Sequence, residues 1–172
     1  IVSTSYERRV RFRTVPEAHN PHMDTWDDSF RSLGATAEPV GDGFYRLPAE
    51  EGRGILTARG PRLSARVAVL TSPVNSSATF SFAQKCQESG LARLFGGTTG
   101  GNRRGINGGA FFFVRLPDSG LEFDLPLIGS FPVTPPPDGG IAPDVSVAPT
   151  AADIAAGRDP VMEAAVSWLQ RG

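Results

Sequence analysis

Ser77 is the residue of this 172-residue chain whose type and setting best suit covalent chemistry. It stands in Ser76-Ser77-Ala78-Thr79-Phe80, behind the apolar, β-branched run Arg66-Val67-Ala68-Val69-Leu70-Thr71 and a Ser72-Pro73 stop. That pattern predicts a buried strand running through a tight connection into a helix, with a serine at the helix mouth. Unpaired N–H groups and the positive dipole end of a helix favour an alkoxide or a developing oxyanion, so the chemistry in view is nucleophilic attack by Ser77. The competing reading is structural, with Ser76 or Ser77 as a plain N-cap.

Other candidates for chemistry are few. The chain has one lysine, Lys85, eight residues beyond Ser77 on the same expected helix; about 12 Å of helical rise separates them, so Lys85 cannot serve Ser77 as a base. Both histidines, His19 and His22, fall in the polar, proline-interrupted stretch Glu17 to Asp24, which reads as a loop. Cys86 is the only cysteine, so no internal disulfide forms. It shares four-residue spacing with Ala78 and Phe82, which predicts a small core residue on the apolar face of the helix. No cysteine pair or His-Glu-x-x-His occurs, so neither a metal nor any other cofactor is expected. The glycine-rich run Gly96 to Gly109 lacks Gly-Lys-Ser/Thr and precedes a strand, which excludes a phosphate loop and a dinucleotide fingerprint.

The elements that must position Ser77 can be read around it. Leu91 to Phe95 is a second apolar strand, ending in Gly96-Gly97-Thr98-Thr99-Gly100-Gly101. Ala110 to Leu116 and Leu121 to Ile128 flank Pro117-Asp118-Ser119-Gly120, a strong hairpin signal. Asp144 is expected to cap backbone at a strand start, and Asp159-Pro160 to open a final helix carrying Val161, Ala164, Ala165, Trp168 and Leu169 on its apolar stripe. Towards the N-terminus, residues 1–15 read as a strand with Arg8, Arg9, Arg11 and Arg13 on its solvated face. Asp24 to Phe30 reads as a short capped helix, and Gly43–Leu47 and Gly54–Ala58 as strands. Residues 16–64 form an expected lid or insertion before a core over 65–172.

With 40% apolar residues the chain can bury one core of ordinary size, and it is expected to form a single domain over residues 1–172. Net charge is −1, and no basic stripe with interleaved aromatics points to nucleic acid. No apolar run reaches the ~18 residues of a membrane span.

As an ordered set, the motifs from Val67 onward resemble the C-terminal half of the catalytic domain of the tail-specific (C-terminal-processing) serine proteases. The group includes the tricorn core and the retinoid-binding repeats of interphotoreceptor protein. The matching pieces are Ser77-Ala78-Thr79-Phe80, Ser89-Gly90, Leu91 to Phe95, Gly96-Gly97-Thr98-Thr99-Gly100, Gly140-Ile141-Ala142-Pro143-Asp144-Val145 and Asp159-Pro160, spread over about 100 residues. The resemblance implies an α/β, crotonase-like (ClpP/crotonase-type) fold, a mixed sheet with flanking helices. It also implies Ser77 as nucleophile, Ala78 as an oxyanion-hole N–H, and Gly97, Thr99 and Gly100 lining the substrate cleft.

The chain departs from the family where many members place a lysine base, at Gly101-Asn102-Arg103, and where a glutamate follows Ser-Ala-x, at Phe80. The arrangement left is tricorn-like, with a histidine base from an upstream segment, His22 or one outside this chain. The opening Ile1-Val2-Ser3-Thr4-Ser5, and the lack of a glycine turn before Ser77 to complete the oxyanion hole, read as an excised part of a longer protein whose site is incomplete here. The function so implied is a portion of a serine endopeptidase acting on a peptide or protein substrate, exported or periplasmic by resemblance. The alternative is a non-catalytic peptide- or apolar-ligand-binding module on the same scaffold.

Overall fold

The computed structural model describes residues 6–48, 60–61 and 63–171. In chain order the strands are β1 (Tyr6–Val10), β2 (Met23–Asp24), β3 (Glu38–Gly41), β4 (Phe44–Arg46), β5 (Ala68–Thr71), β6 (Arg93–Gly96), β7 (Ile106–Arg115), β8 (Glu122–Pro132) and β9 (Val145–Ser146). The helices are α1 (Ser77–Glu88), α2 (Ala151–Ala155) and α3 (Pro160–Gln170). The protein is therefore α/β, with parallel and antiparallel strands and flanking helices. The two strand types are not mixed in one sheet: β5-β6-β9 form a parallel sheet and β2-β7-β8-β1-β4-β3 an antiparallel one.

The two sheets lie in two compact units. One comprises Ile1–Thr4, Gly54–Arg103 and Pro137–Gly172, the other Ser5–Arg53 and Arg104–Pro136. The expected lid thus contributes β2, β3 and β4 to the antiparallel sheet, in which β2 pairs with β7 of the hairpin. The strand expected over Gly54–Ala58 lies outside the described residues.

In the parallel unit, α1 connects β5 to β6, whose residues pair from Ala68 with Arg93 to Thr71 with Gly96. Such a crossover needs a helix that covers one sheet face, and α1 buries Phe80, Ala83, Gln84 and Cys86. This corrects the expected stripe: Phe82 is 58% exposed and Ala78 is exposed, and the helix turns its 80–83–84 face inward while Cys86 stays buried. The α3 helix packs on β5 and β6, with the Trp168 ring tilted against Phe95 at a centroid distance of 5.6 Å. Its start is as expected, since Asp159 accepts from the Val161 and Met162 N–H groups at 3.1 and 2.9 Å and Pro160 needs no donor at N1. Before it, Thr150 and Asp153 close a reciprocal capping box on the short helix α2, which had no counterpart in the sequence reading.

In the antiparallel unit, the long β7–β8 hairpin is closed at its tip by Leu116 N–H to Leu121 O and Gly120 N–H to Leu116 O, both 2.9 Å. Its core gathers Val10, Ala37, Leu47, Ala110, Phe112, Leu127 and Ile128. The helix expected over Asp24–Phe30 divides instead into β2 and a 3-10 turn at Asp28–Ser32, capped by the Asp27 carboxylate on Ser29 N–H at 2.9 Å. Met23 and Asp24 are drawn into the sheet by pairing with Val114 and Phe113.

Candidate functional site at the mouth of α1

The connection into α1 is a closed turn. Asn75 N–H donates to Ser72 O at 3.0 Å, while the Asn75 side-chain oxygen accepts from Ser72 N–H at 2.7 Å. Pro73 occupies the second position of this turn, where its fixed φ is favoured. Ser76 then runs extended, at φ −130° and ψ 178°, and Ser77 takes φ +54° as the first residue of α1. A non-glycine residue there has its Cβ against the following carbonyl, and such positions cost about 1–3 kcal/mol and persist only where surrounding structure enforces them.

This geometry distinguishes the two roles open to the serines. Ser76 occupies the N-cap position, but its side chain makes no capping bond. Ser77 is exposed, and its hydroxyl has no partner among the described residues. Ser76 O is the acceptor at the helix start, taking Thr79 N–H at 3.2 Å, Phe80 N–H at 3.5 Å and the Thr79 hydroxyl at 2.8 Å. The Ala78 N–H has no acceptor among the described residues and stands beside Ser77 at the positive end of the helix.

The glycine turn is built against this connection. A Cβ on Gly100 would stand 2.3 Å from Pro73 O, and one on Gly96 2.2 Å from Thr71 O. Only glycine allows the two backbones to meet this closely. The buried Thr71 hydroxyl donates to Gly97 O at 2.8 Å, tying the end of β5 to the turn. Phe80, fully buried, lies under Gly101, whose Cβ would meet the phenyl ring at 3.2 Å. Phe80 therefore anchors the first turn of α1 beneath the glycine loop.

Of the expected cleft residues, Gly97 gives its N–H to Thr71 O at 2.9 Å and Thr99 gives its N–H to Ile141 O at 3.1 Å. The Thr99 hydroxyl accepts from Ile141 N–H at 2.9 Å. Both residues thus spend their backbone donors holding the turn together, and Gly100 is the one pressed against the serine loop. Asp144 clamps the sheet, as its carboxylate accepts from Leu94 N–H at 2.7 Å and from the Gln87 amide at 3.0 Å.

The unit that carries Ser77 contains no histidine. His22 lies in the antiparallel unit, exposed at the end of a 3-10 turn spanning Glu17–His22, as does His19. Lys85 is exposed two turns along α1 from Ser77. Burial pushes the Cys86 thiol up, which keeps it protonated and unreactive. Among the described residues no cluster of His, Cys, Asp and Glu is arranged to hold a metal ion, and no helix is long and apolar enough to cross a membrane. The chain matches no protein-family model and no curated protein.

The positive φ of Ser77 and the backbone contacts of the glycine turn had no signature in the sequence beyond Ser-Ser ahead of a helix and glycines at the end of a strand. What the arrangement offers chemically is an exposed hydroxyl, held in a strained backbone conformation at a helix N-terminus, with a free N–H one residue on.

Proposed function

We propose that this chain is part of a serine hydrolase of the peptidase type, built on a crotonase-like scaffold, with Ser77 as nucleophile. The observation that carries the reading is the φ of +54° at Ser77, a conformation that capping does not call for, at a residue that is exposed. In support of the scaffold, a strand, the serine helix, a parallel strand and a glycine turn follow one another, and the last helix returns to pack on β5 and β6.

In the proposed reaction the Ser77 hydroxyl adds to the carbonyl carbon of a peptide bond while a general base takes its proton. The oxyanion that forms accepts a hydrogen bond from Ala78 N–H, aided by the α1 dipole. Collapse of this intermediate expels the amine, which recovers the proton, and water then releases the acyl group from Ser77. The base is a group supplied by polypeptide outside this chain.

A second reading, a non-catalytic peptide- or apolar-ligand-binding module, is favoured by the lack of a histidine in the serine-bearing unit and by the position of Lys85. Hydrolysis of activated esters and of a denatured protein, assayed with this chain alone and within a longer polypeptide that contains it, separates the two. Turnover abolished by Ser77→Ala supports the hydrolase. Saturable peptide binding without turnover in either form, unchanged by Ser77→Ala, replaces it with the binding module.

A further inference from the structure

Away from the serine, the parallel unit has an open surface pocket of about 320 Å³ formed by the chain leading into β5, the α1–β6 connection and Trp168 of α3. We propose that it is an oxyanion-binding site that takes a phosphoryl group between the guanidiniums of Arg66 and Arg93, either as free phosphate or as the end of a larger molecule. The volume lies near the lower end of ligand pockets, roughly 300–1,000 Å³.

Two cations converge on one ring. The Arg66 guanidinium carbon lies 3.8 Å from the centroid of Trp168 and that of Arg93 5.7 Å from it, with Arg93 also 6.0 Å from Phe95. The ring itself is braced by Phe95, and Arg93 is held at its backbone by N–H to Val67 O at 3.0 Å. Neither guanidinium has a carboxylate partner among the described residues, whereas Arg9, Arg31, Arg46, Arg115 and Arg158 each have one.

The Arg66 guanidinium lies over the Trp168 ring and that of Arg93 stands beside it, and a cation–π contact uses the face of a guanidinium, so its N–H groups remain available to an anion. Nor are the arginines needed to finish α1. That helix closes its own last turn through Ser89 N–H to Lys85 O, Gly90 N–H to Gln87 O and Leu91 N–H to Cys86 O, at 3.1, 3.0 and 2.9 Å. Arg66 and Arg93 are both exposed and line the same pocket, and a dianion between them compensates both charges through charge-assisted hydrogen bonds. A phosphoryl group supplies both the charge and the oxygen geometry.

The test is a titration of the whole chain with inorganic phosphate at constant ionic strength, followed by tryptophan emission and by calorimetry. The background is Trp26→Phe, which leaves Trp168 as the single reporter of the chain's two tryptophans; Trp26 is 60% exposed, so the change is mild. A saturable response is expected, weakened roughly tenfold or more in Arg66→Gln and in Arg93→Gln, the loss of one charge-assisted contact. Arg66→Lys should also bind more weakly, because it keeps the charge but loses the planar fork.

A parallel titration with a nucleoside monophosphate distinguishes the sources: tighter binding than phosphate marks the end of a larger molecule, and equal or weaker binding marks phosphate itself. Absence of a saturable response to both ligands overturns the proposal. So does a response unchanged in both glutamine variants.

Discussion

Replacing Ser77 by glycine and, separately, by alanine sets two opposite expectations against each other. An ordinary helical residue loses up to about 1 kcal/mol when alanine becomes glycine. At φ +54° the sign reverses. Relief of a left-handed L-residue contributes about 1–2 kcal/mol, and the greater freedom of glycine in the unfolded chain takes back about 0.4–1 kcal/mol. Ser77→Gly should therefore be the more stable by up to about 1.6 kcal/mol, with a central value of about 0.8 kcal/mol, since alanine keeps the strain and glycine removes it. Urea unfolding read by Trp168 emission, in the Trp26→Phe background, reports on the unit that contains Ser77. If Ser77→Ala proves the more stable of the two, Ser77 is an ordinary first-turn residue and the strained-nucleophile reasoning is refuted.

Further expectations concern the frame around the serine. Gly140→Ala would place a Cβ 2.1 Å from Thr99 O; a backbone clash of that kind should cost more than about 2 kcal/mol in urea unfolding. Asp144→Ala leaves Leu94 N–H without its acceptor and should cost about 1–3 kcal/mol in the same assay. The Thr150 hydroxyl and backbone N–H, with Arg158 behind them, hold the Asp153 carboxyl below the ordinary aspartate range. A depressed carboxyl contributes stability that is complete above its unfolded value, about 3.9, and is lost as pH falls towards the folded value, so melting temperatures below that pH should decline less steeply in Asp153→Asn. Cys86, buried with its thiol pushed up, should resist alkylation in native protein and react fully once unfolded, measured by intact mass.

The parts of the fold legible in the sequence were those with local causes. The β-branched run before Ser72-Pro73, the Pro-Asp-Ser-Gly loop and the Asp159-Pro160 helix start each carry their own physical instruction, and β5, the β7–β8 hairpin and α3 follow them. Partner choice was not legible. The arginines interleaved with apolar residues along β1 mark it as half-buried, but do not say that it pairs with β8, more than a hundred residues on. On α1, Phe80 and Phe82 both offered an apolar side chain to the core, and the tertiary contact of Phe80 with Gly101 decided between them. At the site, Ser77 was singled out by its position between strand and helix. The tight connection at Ser72-Pro73 was legible as well, but the close approach of Gly100 to Pro73 and the positive φ of Ser77 were not, since neither follows from a local pattern.

The central claim is that Ser77 is an activated nucleophile, and fluorophosphonate labelling located by peptide mass tests it most directly. Applied to this chain and to a longer polypeptide that contains it, labelling should fall on Ser77 in the longer form, be absent from Ser77→Ala, and spare Ser76 and Ser81. Lack of label at Ser77 in both forms, under conditions that label a known serine hydrolase, would contradict it.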